Sequence, residues 1–152
     1  RLAVRIMKQV VLICSFLIGC MGVNLQAQSL SLRDSLAMIE TGATSSRAGK
    51  WDLIRGSSGE VSRYQIMPEV WRKYTRSRSW SNPNIAWTVA KRILDERIKQ
   101  FTRKVGRKPA PVEIYLLWNK PGHFAANKYK FYLVKRTYLQ RAKRFANLMA
   151  ET

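Results

Sequence analysis

NPNIAWTVAKRILDERIKQFTRKVG, residues 82–106, is the stretch on which the fold turns. Asn82 is an N-cap residue, whose side-chain oxygen can take up free amide N–H groups. Pro83 suits a first helical position, where its missing N–H costs nothing. Ile85, Ala86, Val89, Ala90, Ile93, Leu94, Ile98 and Phe101 recur at helical spacing and make a broad apolar stripe. Gly106 and Pro109 end it. A long helix with one wide apolar face must be covered by other elements, so a mainly helical domain is predicted.

The flanks agree. Downstream, a helix begins near Pro111 and carries Ile114, Leu117 and Trp118, and Pro121-Gly122 is expected to break it. From Phe124 to Met149 the pattern predicts one or two basic helices, with Tyr132, Tyr138, Phe145 and Leu148 available for packing. Upstream, Pro68 starts a short helix through Tyr74. Glu60 to Met67 reads as a short strand or hairpin arm with Tyr64 and Ile66 on one face. Ala43 to Gly59 is a loop with Trp51 as its main apolar anchor. Ser29 to Glu40 reads as a helix on Leu32, Leu36 and Ile39, with Gly42 at its left-handed cap. The expected class is mainly α, a helical domain with a small irregular or β insertion after the first helix.

Length and composition bound the rest. The chain has 152 residues, one domain's worth, and is 46% hydrophobic, enough for one core and too much for a disordered polymer. Lys and Arg number 28 against 9 Asp and Glu, a formal net charge of +19. Such an excess favours anionic partners, whether nucleic acid, lipid headgroups or acidic envelope polymers. Arg1, Arg5 and Lys8 precede an apolar run from Val10 to Gly19, too short for a bilayer-spanning helix of about 20 residues. Basic start, apolar middle and small residues form the pattern of a secretory signal, residues 1–27, with Met7 as a natural start and a cut after Ala27. Leu17-Ile18-Gly19-Cys20 competes as a lipidation site, which would make the protein a lipoprotein through Cys20. Either route exports the domain, residues 28–152, to the periplasm or cell envelope. Both cysteines, Cys14 and Cys20, fall within the leader, so a chain cut at Ala27 has no disulfide to lean on. The cut removes three of the 28 basic residues and none of the acidic ones, leaving about +16.

The sharpest chemical feature is Ile39-Glu40-Thr41-Gly42. A carboxylate at the last turn of a helix faces the negative end of the helix dipole, which disfavours the charged form. Apolar neighbours would raise its pKa further by desolvation. A carboxyl that keeps its proton near neutrality is what a glycosidic oxygen needs as proton donor. On this local pattern alone, an ordinary exposed glutamate before a helix cap is the commoner case.

Three further pieces follow in order. Gly59-Glu60-Val61-Ser62-Arg63-Tyr64-Gln65-Ile66-Met67-Pro68 precedes Trp71, Asn82-Pro83 opens the long helix, and Trp118-Asn119-Lys120-Pro121-Gly122 follows an amphipathic stretch. Together with Glu40-Thr41-Gly42, this resembles the lysozyme-like lytic transglycosylases, the group of soluble lytic transglycosylases and goose-type lysozymes. There a helix ends in Glu-Ser-Gly, then come Gly-x-x-Gln-Ile-x-Pro, Asn-Pro at a long helix, and Tyr-Asn-Ala-Gly-Pro. The resemblance spans Ile39 to Gly122 and implies an α+β lysozyme-like fold. It makes Glu40 the acid/base, lines the sugar cleft with Gln65, and sets Asn119 near the reacting centre. Tyr64 and Tyr115 become stacking or hydrogen-bonding groups beside it. For Tyr64, Trp51 and Trp118 taken singly, core packing is the commoner role; for Gln65 and Asn119, backbone capping competes with substrate contact.

The departures are informative. Thr41 replaces the family's Ser and keeps a hydroxyl. Trp118 stands where the family has Tyr, so a hydrogen bond to the catalytic carboxyl is either lost or supplied by Tyr115. Glu60 adds a second carboxylate near the cleft. An inverting hydrolase would use such a group as base, about 6.5–9.5 Å from the acid. The resemblance implies instead a single-glutamate route, in which the muramyl 6-hydroxyl closes a 1,6-anhydro ring. An ion pair of Glu60 with Arg55 or Arg63 is the simpler role for that side chain.

Other chemistries lack support. His123 has no metal-ligand partner at a useful spacing. No Ser-His-Asp set is evident, and Gly56-Ser57-Ser58-Gly59 lacks the Gly-Lys-Ser/Thr element of a phosphate loop. The expected activity is cleavage of the β-1,4 bond between MurNAc and GlcNAc in peptidoglycan, with no cofactor and no metal. The rival from another class is a non-catalytic cationic protein that binds peptidoglycan or an anionic envelope polymer. Basic clusters at Lys91-Arg92, Arg103-Lys104, Arg107-Lys108, Lys135-Arg136 and Arg141 to Arg144 are usually solvated helix faces, and could adhere to anionic polymer or lipid. Tyr129, Phe131, Tyr132 and Tyr138 among them would also suit nucleic acid, against which export argues.

Overall fold

The computed structural model describes residues 30–150. The leader expected over 1–27, with Cys14 and Cys20, lies outside the described residues. The architecture is mainly helical, with α1 Leu32–Thr41, α2 Pro68–Tyr74, α3 Pro83–Val105, α4 Pro111–Asn119, α5 Pro121–Ala126 and α6 Arg136–Ala150. Short 3₁₀ turns cover Lys50–Asp52 and Phe131–Leu133. None of the described helices is long and apolar enough to cross a membrane.

The caps explain where the helices start and stop. Asn82 Oδ1 accepts from the N–H groups of Asn84 at 2.9 Å and Ile85 at 3.1 Å, and Gly106, at φ 82°, closes α3 in the left-handed region. Replacing Asn82 by Ala should cost about 1 kcal/mol, read as a lower urea midpoint at unchanged slope. Ser31 caps α1 by accepting from Asp34 N–H, while Gly42, at φ 70°, ends it.

Helix α4 is the centre. It packs against α3, α5 and α6, and α6 also covers α1. Its sequence is apolar nearly all round, with Tyr115, Leu116, Leu117 and Trp118 buried, as expected of a helix enclosed by others. Phe101, Phe124 and Phe145 are fully buried around it. Helix α4 starts at a fixed point because Glu113 accepts from Ala110 N–H and from both terminal nitrogens of Arg107.

Two expectations are corrected. Pro121 does not simply break α4: Lys120 alone is non-helical, and Pro121 begins α5, because proline is pre-set for a first helical turn. Residues 60–67 form no strand. Val61 and Ile66 make one isolated antiparallel bridge around a tight turn, with Ser62 and Gln65 at φ 65° and 50°. Val61, Ser62, Arg63 and Tyr64 are all buried. Four consecutive inward residues are incompatible with the alternation of a strand, and a turn solves this by winding them all into the core.

Candidate functional site

Glu40 sits in the last turn of α1, where the sequence offers no basic residue to balance the dipole. Its side chain is 5% exposed. Helix α4 reaches it from behind: Tyr115 donates its hydroxyl to Glu40 Oε1 at 2.6 Å. Tyr115 is itself buried and stacks on Phe145 of α6, with ring centroids 5.3 Å apart. A buried, stacked ring leaves the phenol one orientation, so the hydrogen bond is pre-set. Helix α6 supplies the second contact. Arg141 donates to Ile39 O at 3.1 Å and reaches Glu40 Oε2 at 3.5 Å, with its guanidinium over the Tyr115 ring.

These surroundings oppose one another. Burial raises the Glu40 pKa and is the largest influence; the Tyr115 hydroxyl, the Arg141 charge and the Asn119 side chain pull it down, and the Glu60 charge pushes it up. The balance is upward. Arg141 is more than a third exposed and its contact is long, so water screens much of its pull. The Tyr115 hydroxyl is driven upward in turn, by burial first and then by the facing carboxyl, and stays a donor.

Glu40 opens on a cleft of about 850 Å³. Glu60, Gln65, Trp118, Asn119, Tyr138 and Arg141 share its lining. The cleft thus gathers pieces from α1, the 60–67 turn, α4 and α6. Gly56 permits one wall. A Cβ there would lie 2.2 Å from Glu60 Oε2 and 2.4 Å from Gln65 Oε1, so a side chain at this position would push the ends of both away from where they now rest. Glu60 Oε2 also accepts from Ser58 N–H at 2.9 Å, and Gln65 Nε2 donates to Ser62 O at 3.1 Å. Behind Trp118, Arg97 donates to the carbonyls of Leu117 and Trp118 and lies 5.6 Å over the indole, closing the C-terminal end of α4.

Of the residues singled out from sequence, Glu40, Glu60, Gln65 and Asn119 line one cleft, and Tyr115 touches its carboxyl. Tyr64 does not line it. It is fully buried against Trp87, at 5.6 Å between centroids, and its hydroxyl finds no partner among the described residues. Burial pushes its pKa up to about 12. The inward winding of the 60–67 turn is what removes it from the cleft. Glu60 makes no ion pair with Arg55 or Arg63 among the described residues. Arg63 instead pairs in the interior with Asp52, at 2.6 and 2.9 Å, and donates to Ser46 O. That pair, rather than the half-buried Trp51, fastens the loop after α1.

Arg141 is the residue that sequence reading passed over, since it stood only as one charge in a basic run. It lies 101 positions from Glu40, and nothing local distinguishes it from Lys143 or Arg144. Among the described residues no cluster of His, Cys, Asp and Glu could hold a metal ion. No protein-family model, curated protein or solved structure matches the chain.

Proposed function

We propose that this protein is a lysozyme-like lytic transglycosylase that cleaves the β-1,4 MurNAc–GlcNAc bond of peptidoglycan in the periplasm or cell envelope, with Glu40 as its one acid/base. One observation carries the reading: a buried carboxyl with a raised pKa, held by Tyr115, opens on a cleft that also receives Gln65 and Asn119. The protonated carboxyl would give its proton to the departing sugar oxygen and then take one from the attacking 6-hydroxyl. The Tyr115 hydroxyl would steady the carboxylate between the two steps. Glu60 is bound to Ser58 N–H beside Gly56, which suits a wall of the cleft better than a mobile base.

Peptidoglycan digested with the purified protein should yield soluble fragments one water lighter than hydrolysed ones, as read by mass spectrometry. Hydrated ends alone would replace the transglycosylase reading with a hydrolase. The active acid must be protonated, so activity should fall as pH rises through the Glu40 pKa. Arg141 lowers that pKa. Arg141→Gln should therefore move the alkaline limb of the pH–rate profile to higher pH, and a limb that moves down would count against the assignment.

A second reading, a cationic peptidoglycan-binding protein without catalysis, draws on the same Arg141 contact, which favours the ionised carboxylate. Salt-sensitive wall binding with no released fragment would select it.

A further inference from the structure

Between Glu113 and Glu151 the chain contains no acidic residue and eight Lys and Arg. Within that interval the backbone makes an outward loop that is held at both ends. On the entry side, Lys128 and Tyr129 both adopt positive φ, 54° and 56°, a conformation disfavoured for residues other than glycine. Tyr129 N–H donates to Phe124 O at 3.0 Å, and the Tyr129 ring packs edge-on against Phe101 and Phe124, at 5.2 and 5.3 Å. On the exit side, Val134 is buried and its N–H donates to Phe131 O at 3.1 Å. Between these pins, Phe131, Tyr132 and Leu133 form a 3₁₀ turn and are 47%, 66% and 52% exposed.

A single exposed leucine is ordinary. Three consecutive large apolar side chains, projected by a loop fastened on both sides, need an environment that takes them up. Lys128, Lys130, Lys135 and Arg136 flank the tip in sequence on both sides, and all four are exposed. We propose that this loop docks the protein on the surface of an anionic lipid bilayer. The apolar tip enters the boundary between headgroups and acyl chains, and the flanking cations stay with the lipid phosphates. A fully polar polyanion would satisfy the cations and leave the tip in water. A second copy of this chain would bring two such basic surfaces together and be repelled. The proposal is independent of the cleft chemistry.

The test is amide hydrogen exchange on the full chain with vesicles of phosphatidylglycerol and phosphatidylcholine, 150 mM salt being a suitable ionic strength, where surface attraction is screened within about 8 Å. Because exchange is read peptide by peptide, residues 128–136 report separately from the apolar run at 10–19. Exchange in 128–136 should slow severalfold with the mixed vesicles and stay unchanged with phosphatidylcholine alone. The charge-neutral variant Phe131→Ser/Tyr132→Ser/Leu133→Ser should lose the slowing while its melting temperature is kept. The milder Leu133→Ser should weaken it. Equal slowing in the triple variant would mean attraction by charge alone and overturn the proposal. So would slowing that appears without vesicles as protein concentration rises, which would make a second copy the occupant.

Discussion

Glu40→Gln is expected to lower the release of soluble fragments from peptidoglycan by about 10²–10⁴-fold, and to do so without unfolding the protein. Glutamine fills the same space and can still accept from the Tyr115 hydroxyl, but it has no proton to give. The stability change should run opposite to the activity change. The folded-state pKa of Glu40 lies above its ordinary value of 4.5. Its contribution to stability is therefore fully present below that ordinary value and is lost as pH rises through the folded pKa, because the folded state then holds a desolvated charge. Glutamine carries no such penalty, so the variant should melt at a higher temperature than the parent at pH 8 and show less difference at pH 4. Thermal melts at the two pH values check this beside the digestion assay. Full activity in the variant would remove Glu40 as the acid. Lost activity with a lower melting point at both pH values would mean the side chain serves structure instead.

Asp52→Asn is expected to be the most damaging of the conservative changes. Asp52 and Arg63 are 6% and 3% exposed at their side chains, and the guanidinium has no other counter-charge in contact among the described residues. Removing one charge of a buried pair leaves the other uncompensated and typically costs about 3–5 kcal/mol. For a domain of this size that is a fall in melting temperature on the order of 10 °C or more. Asp52→Asn/Arg63→Met should recover much of the loss, since the penalty lies in the orphaned charge. A single variant that melts within a degree or two of the parent would show that water reaches Arg63. The pair also sets an acid limit. Burial alone would raise the Asp52 pKa, but the Arg63 bonds and Gly49 N–H outweigh it and hold the carboxyl below its usual 3.8. Its stabilisation is present above that usual value and is lost as pH falls through the folded one.

The loop after α1 shows how far local pattern reaches. By sequence, Trp51 reads as its anchor, because a large aromatic in a run of Gly, Ser and Thr usually packs. The anchor is an ion pair between positions 11 apart, and a sequence with several arginines nearby does not say which one turns inward. Glu60 shows the same thing from the other side: Arg63, its nearest plausible partner in sequence, was taken by Asp52. Tyr64 reads as cleft-facing if residues 60–67 are extended, and as core if they turn. The two positive-φ residues that decide between these are a serine and a glutamine, neither of which signals a left-handed backbone.

What the sequence determined by itself is what nearest neighbours along the chain control: the caps at Asn82, Gly42 and Gly106, the proline starts of α2 and α3, the apolar stripe of α3, and a glutamate at a helix end. These depend on backbone geometry within a turn or two, so pattern and outcome share one cause. Only the tertiary structure decided that α6 brings Arg141 to that glutamate, that Tyr115 rather than residue 118 holds its carboxyl, and that the turn at 60–67 sends Gln65 to the cleft and Tyr64 to the core. Those outcomes rest on which faces α4 and α6 bury against each other, and burial is a property of the assembled core that spacing along one segment does not contain.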